Sequence, residues 1–568
     1  MKHRYGYLNV FAIFLVLGLG VFVSFSGSWQ DVLKTNGIMV ELPVGMNLDA
    51  TNYWTTAVPF NDLMKTAGKM ITFDLSGKDS SWDSGLLDRI PRDGNGYPLA
   101  LPVPVAEVPQ GVRILINNTR TGEYVMLHDG QGEYTWHNID SQRRNGRTYI
   151  TFNGKGGHSY LQINRSDPTN PLRNIRIVPT SFEDCEEEMP LFYGPYLEGL
   201  RPFHCLRFME WTATNNSLQQ HWSERSRPDF YSQGLVQGIS LEYAIALANE
   251  LGADGWFSVP HMASDDYIRQ MARLIRDRLD RRLKCYIEYS NETWNRQFDQ
   301  AHWLLNNGVS PNWAKGFREE TRTVEPSVRQ GLAAINVQPA DLPEKSAFLM
   351  ARTFRIFREE FGDQQSRLVR VAAVQQAGAE NTGRILKYLF GEDGSGCDAL
   401  AAAGYFGFGR EDHERLLQMA AEKVSPEMII DAADRRYERE AGKWTEDTAR
   451  YARQYGIDYF VYEGGQHMQS WQQQDWPYNQ AVWDAQVHPR MYHLYLRNFA
   501  RHSAPEINCK LFMAYSYLGV RRSRFGSWGH LELPAQLGAV DMLAAAPKYQ
   551  ALLDVNEAKK DVSNRQSN

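Results

Sequence analysis

The sequence predicts an α/β chain: a (β/α)₈ (TIM) barrel with an all-β module inserted between its first and second strands and an N-terminal membrane-spanning or signal segment. Three observations carry this expectation. Short apolar runs recur at eight places, Glu41–Leu48, His204–Glu210, Gly255–Pro260, Lys284–Ser290, Leu368–Val374, Asp398–Tyr405, Asp458–Glu463 and Lys510–Tyr515. Helical patterns separate most of them, and strands alternating with helices imply a parallel sheet that eight units close into a barrel. The third is a gap of about 150 residues between the first two runs, far longer than one helix and two loops require. An open doubly wound sheet would also alternate, but no nucleotide fingerprint supports it.

The helices follow from periodicity. In Ser264–Arg282, Ile268, Met271, Ile275 and Leu279 fall on one face, and Asp265 and Asp266 suit the positive N-terminal end. Lys345–Phe361, Asp434–Tyr455 and His488–His502 also read as helices, and Asn306–Pro343 as an irregular rim loop. Within the long gap, Val112–Asn117, Glu123–Leu127, Thr148–Phe152, Tyr160–Asn164 and Asn174–Pro179 read as short strands parted by turn-rich stretches. The expected organisation is therefore a signal or anchor over 1–30, a barrel over 41–70 and 181–550, a β-rich insert over 71–180, and a polar tail over 551–568. The insert would bind carbohydrate or wall one side of a groove.

At the N-terminus, Lys2, His3 and Arg4 precede the apolar run Leu8–Phe25 and the small residues Ser26–Ser28. Positive charge ahead of such a run holds the start in the cytoplasm and sends the remainder across the membrane. The run is just long enough to span a bilayer. An uncleaved inner-membrane anchor facing the periplasm and a cleaved signal both fit, and both export the body of the protein. Five cysteines are sparse for an exported chain of 568 residues, so no disulfide framework is expected, although Cys185 and Cys205 could pair. One of four Asn-x-Ser/Thr sequons is Asn291-Glu292-Thr293, where a glycan would block a catalytic site; this favours a bacterial source. Lys and Arg total 61 against 67 Asp and Glu, so no global basic field invites nucleic acid. His467 follows Glu463 by four residues without a matching histidine pair, and neither a metal nor another cofactor is expected.

Catalytic residues of a (β/α)₈ barrel stand at the C-terminal ends of its strands. Asn291 and Glu292 close the fourth apolar run, "CYIEYSNETW", and Glu463 closes the seventh, "DYFVYEGGQHM". Two carboxyls across the barrel mouth can flank a glycosidic bond, and a separation of about 5–5.5 Å would allow a retaining double displacement. Glu288 has the parity of Glu292 but lies deeper, and Glu210 is a third acid at the second strand's end. Aromatic residues fall after several strands: Tyr53 and Trp54, Trp211, Trp294, and Trp471, Trp476 and Tyr478. Gathered on one face they would wall a sugar cleft. His261, after the third strand, is a candidate substrate contact.

Asn-Glu closing strand four with Glu closing strand seven resembles the clan A retaining glycoside hydrolases. The resemblance implies Glu292 as acid/base, Glu463 as nucleophile and Asn291 bonded to the sugar 2-hydroxyl. It further implies Arg207 steadying the nucleophile, Tyr405 as the usual tyrosine partner and Trp528 as the floor beneath the reacting sugar. Arg207 could instead pair with Glu288 or Glu210. The expected function is exported cleavage of a polysaccharide, β-linked by the resemblance, with a tether that suits exopolysaccharide export machinery as a partner. The rival readings are a non-catalytic carbohydrate-binding protein and a secretion accessory on the same barrel.

Overall fold

The computed structural model describes residues 10–11, 24–25, 42–309, 325–335, 341–392, 394–437 and 442–566. Nearly all of the apolar run Leu8–Phe25 lies outside them, and among the described residues no helix is long and apolar enough to cross a membrane. Eight parallel strands close a barrel in chain order. They are β1 (Val44–Asn47), β2 (Cys205–Arg207), β3 (Asp254–Val259), β4 (Cys285–Tyr289), β5 (Leu368–Ala373), β6 (Ala399–Phe406), β7 (Asp458–Gln466) and β8 (Cys509–Ala514). Each overlaps one expected run, and the ends differ by a few residues at most.

Strand alternation divides the barrel's side chains into two cores. Outward residues such as Leu206, Phe257, Ile287 and Phe512 join the helices in one apolar layer. Inward ones form a second cluster in which Trp256, Tyr286 and Phe460 face the small Ala399, Ala401 and Ala403 of β6. Gly45 on β1 is required by that crowding: a Cβ there would stand 2.4 Å from the Met513 sulfur. The helix Asp265–Arg278 is capped by Ser264, whose hydroxyl accepts from the Tyr267 amide at 3.1 Å. Asp434–Tyr455 is not one helix but two, Pro426–Arg436 and Gly442–Tyr455, and the expected rim loop contains the helix Pro326–Ile335.

Between β1 and β2 the chain forms two antiparallel sheets. One orders Arg173–Pro179, Thr121–Asp129, Arg147–Asn153 and Asp140–Arg144; the other orders Ile71–Asp74, Val108–Leu115, Tyr160–Ser166 and Gly132–His137, with Val103–Val105 on its edge. Their shared core, with Val112, Ile114, Ile150 and Leu161, also takes in Leu63, Met64 and Tyr231 from outside 71–180.

Two expectations are corrected. Within the expected polar tail, 551–566 continues the helix Pro547–Gln566, whose Tyr549, Leu552 and Val555 recur every three residues and are buried. Asn556 on that helix bonds both backbone groups of Val44, accepting from its amide at 3.2 Å and donating to its carbonyl at 3.5 Å. Cys185 and Cys205 do not pair; all five cysteines are free, and Cys205 is buried in β2.

Candidate active site

The chain leaves β4 through two residues in the left-handed region, Ser290 (φ 55°) and Glu292 (φ 41°), which enclose Asn291. Such a conformation costs a residue with a Cβ roughly 1–2 kcal/mol, and strain of this kind gathers where a side chain must be aimed. On β7 the device is a bulge. Ala402 pairs with Val461 but Ala403 with Glu463, so Tyr462 is the extra residue. Simple alternation would send Tyr462 and Glu463 to opposite faces; the bulge brings both to the barrel mouth.

Arg207 lies at the floor, fully buried, with every N–H engaged. Its Nε and Nη2 donate to Glu288 at 3.1 and 2.9 Å, Nη1 to Asn47 Oδ1 at 3.1 Å and Glu463 Oε2 at 3.2 Å, and Nη2 also to Asn291 Oδ1 at 2.9 Å. Arg207 thus pairs with Glu463, as the resemblance implies, and with Glu288, the alternative partner. Glu288 is the deeper of the two, wholly buried and bonded to Trp256 Nε1 at 2.8 Å. Asn291 donates onward to Asn215 Oδ1 at 3.1 Å, and Gln300 donates to the Asn291 carbonyl at 2.7 Å. Glu292 accepts from Asn295 Nδ2 at 2.8 Å and from the Tyr462 hydroxyl at 3.4 Å.

Positive charge is scarce here. Arg207 is largely neutralised by Glu288, so Glu463 receives only part of its field. Burial first, then the charge of Glu292, pushes Glu463 up to about 8 against Arg207. Burial also raises Glu292, opposed chiefly by its Asn295 bond. Two forces therefore compete over the proton: the Arg207 contact holds charge on Glu463, while desolvation and Glu292 resist it. Such neighbouring carboxyls titrate as one unit. Tyr405 is raised well above a phenol's ordinary range, by burial first and then by Glu463, and stays a neutral hydroxyl.

These groups open into a cleft of about 710 Å³ lined by Glu292, Glu463, Asn291, Tyr405, Trp294 and Trp528, with Glu210, Tyr462, Trp444 and several amide side chains. Several expected contacts are not there. Trp211 is fully buried between the barrel and the chain before it, packed on Phe208, Phe60 and Tyr196. His261 is buried edge-on against Trp303, and burial alone lowers it to about 3. Trp54 is 66% exposed beside Tyr53, off the cleft. Trp471, Trp476 and Tyr478 pack around His413 instead. No described residue of 71–180 lines the cleft. Sequence reasoning missed Tyr462, Trp444, Tyr515 and the amides Asn215, Gln375 and Gln473. The Gly464–Gly465 pair after Glu463 was the available signal for the bulge.

No family model and no curated protein matches the sequence. Solved structures similar to the chain include a β-glucosidase from Thermotoga maritima in complex with noeuromycin, at 12% identity and TM-score 0.35, covering 64% of this chain and 85% of that one. A GH51 arabinofuranosidase from Xanthomonas axonopodis pv. citri aligns at 12% identity and TM-score 0.31 over 59% of this chain and 61% of its own length. A modular endo-β-1,4-mannanase from Cellulomonas fimi aligns at 12% and 0.30, over 63% and 62%. The neighbours are clan A glycoside hydrolases, the group whose pattern the strand ends resemble. At these scores they carry no weight for activity.

Proposed function

We propose that this protein is a retaining glycoside hydrolase that cleaves a β-linked polysaccharide outside the cytoplasm. The observation that carries the reading is the pairing of two buried carboxyls, Glu292 after β4 and Glu463 on β7, in one open, aromatic-walled cleft where Arg207 touches only Glu463 of the two.

That asymmetry assigns the roles. With a sugar bound, the coupled pair carries its proton on Glu292 and its charge on Glu463 against Arg207. Glu463 attacks the anomeric carbon while Glu292 protonates the departing oxygen, the glycosidic bond breaks and a glycosyl–Glu463 ester forms. Esterification removes the negative charge of Glu463, and Glu292, now a carboxylate beside a neutral ester, takes a proton from water. The resulting hydroxide equivalent displaces Glu463, restoring both groups and the original anomeric configuration. Asn291, held by Arg207 and Gln300, offers its remaining amide hydrogen to the 2-hydroxyl. Trp528 and Trp294 present ring faces to the sugars on either side. The basic start and apolar run of the N-terminus support an export signal or a periplasm-facing anchor, and the two sheets between β1 and β2 form a module outside the cleft.

The test is a reducing-end assay of the full chain on β-linked polymers, with Glu292→Gln and Glu463→Gln alongside and NMR detection of the first-formed anomer. Cleavage with retention, lost in both variants, is expected. Polymer binding without cleavage, unchanged in both, would establish a carbohydrate-binding protein instead, and an inverted product would refute the double displacement.

A further inference from the structure

The cleft has an imbalance that catalysis alone does not explain. Glu210, just beyond β2, lies in the same cleft as the two catalytic carboxyls. It is fixed to their network: Asn215 accepts from Asn291 through its oxygen at 3.1 Å and donates to Glu210 Oε1 at 3.4 Å through its amide. A further acid, Asp49, follows β1 and is bonded to Ser516 and the Leu518 amide. Its field reaches Glu210.

Against these acids the floor sets one cation, and that cation is spent. A guanidinium has five N–H donors. Those of Arg207 go to Glu288, Asn47, Glu463 and Asn291, with none left for a ligand. Among the described residues lining the cleft the other formal cation is Arg296, which is exposed at the rim. His467 is neutral, lowered by its burial. The remaining polar lining is amides, Gln375, Gln376 and Gln473 among them, which bond hydroxyls without regard to charge.

We propose that the cleft accepts an uncharged glycan and rejects uronic-acid sugars at the reacting position, with Glu210 as the residue that sets this selectivity. This rests on the glycosidase reading above. A neutral sugar gives its hydroxyls to Glu210 and the surrounding amides. A uronate carboxylate in the same place finds, among the described lining residues, no cation but Arg296 at the rim, and lies beside Glu210, Glu292 and Glu463. One like-charge contact at about 6 Å and an effective dielectric constant of about 20 costs roughly 100-fold in kcat/KM.

The experiment compares β-1,4-glucan, β-1,3-glucan and β-1,4-mannan, each soluble and each beside its C6-oxidised form, using the full chain and Glu210→Gln. Melting curves verify that the variant folds. The expected result is a neutral-to-oxidised kcat/KM ratio of about 100 or more in the wild type, falling about tenfold in Glu210→Gln. An oxidised polymer cleaved as fast as its neutral parent would overturn the inference while leaving the glycosidase intact. A wild-type ratio retained in full by Glu210→Gln would remove Glu210 from it. Should Glu210→Gln not fold, Glu210→Ala replaces it, with the same fall in the ratio expected and an unchanged ratio counting against Glu210. No cleavage of any polymer overturns the glycosidase reading and this inference with it.

Discussion

Replacing Glu463 with glutamine makes the protein more stable, and increasingly so as pH rises. An acid moved from an ordinary 4.5 to about 8 keeps its proton in the fold at a pH where the unfolded chain has lost it. Between those values the folded state binds more protons than the unfolded state, so wild-type stability falls with rising pH and the loss is complete above about 8. Each tenfold change in acidity corresponds to about 1.4 kcal/mol, which sets an upper limit on the order of 5 kcal/mol. Glu292 and Arg207 share in the shift, so a recovery of about 2–3 kcal/mol is expected. The amide of the Glu463→Gln variant keeps an oxygen that can accept from Arg207, and Arg207 retains Glu288, so no buried charge is orphaned. Thermal melts of wild type and Glu463→Gln from pH 5 to pH 9 read the effect. The two curves should lie close together at pH 5 and separate steadily, with the variant higher at pH 9. A gap that does not vary with pH, or a wild type that is the more stable at pH 9, would show that Glu463 is not a strained acid.

Three further outcomes follow from the same contacts. The alkaline limb of kcat/KM should fall above about pH 8, where the coupled Glu292–Glu463 pair loses its last proton, and a flat profile to pH 10 would contradict that coupling. Arg207→Met leaves Glu288 buried without its cation and should destabilise by about 3–5 kcal/mol, with Glu288→Gln in the same chain restoring part of the loss in chemical denaturation. Asn556→Leu strands the amide and carbonyl of Val44 and should cost about 1–3 kcal/mol in the same assay, without changing KM.

The barrel was legible in the chain alone, because each strand is a short apolar run and each intervening helix an apolar stripe, and both signals are local. Asn291, Glu292 and Glu463 were legible for the same reason: a polar residue that ends a buried run has a position fixed by the run. Aromatic residues carry no such address. Trp211, predicted for the cleft, is core because Phe60 and Tyr196, distant in sequence, close over it, whereas Trp444 reaches the cleft from a helix start that periodicity assigned to a helix interior. The C-terminal helix reads as a polar tail because most of its residues are charged or polar; three apolar positions and Asn556 bind it beneath β1. How the acids share charge is settled only in three dimensions. The bulge at Tyr462 turns Glu463 into the cleft, and the donors of one arginine are divided among residues on β1, on and after β4, and on β7. Proton positions in a buried cluster follow from distances and burial summed over all its members, and neither quantity exists until the strands are side by side.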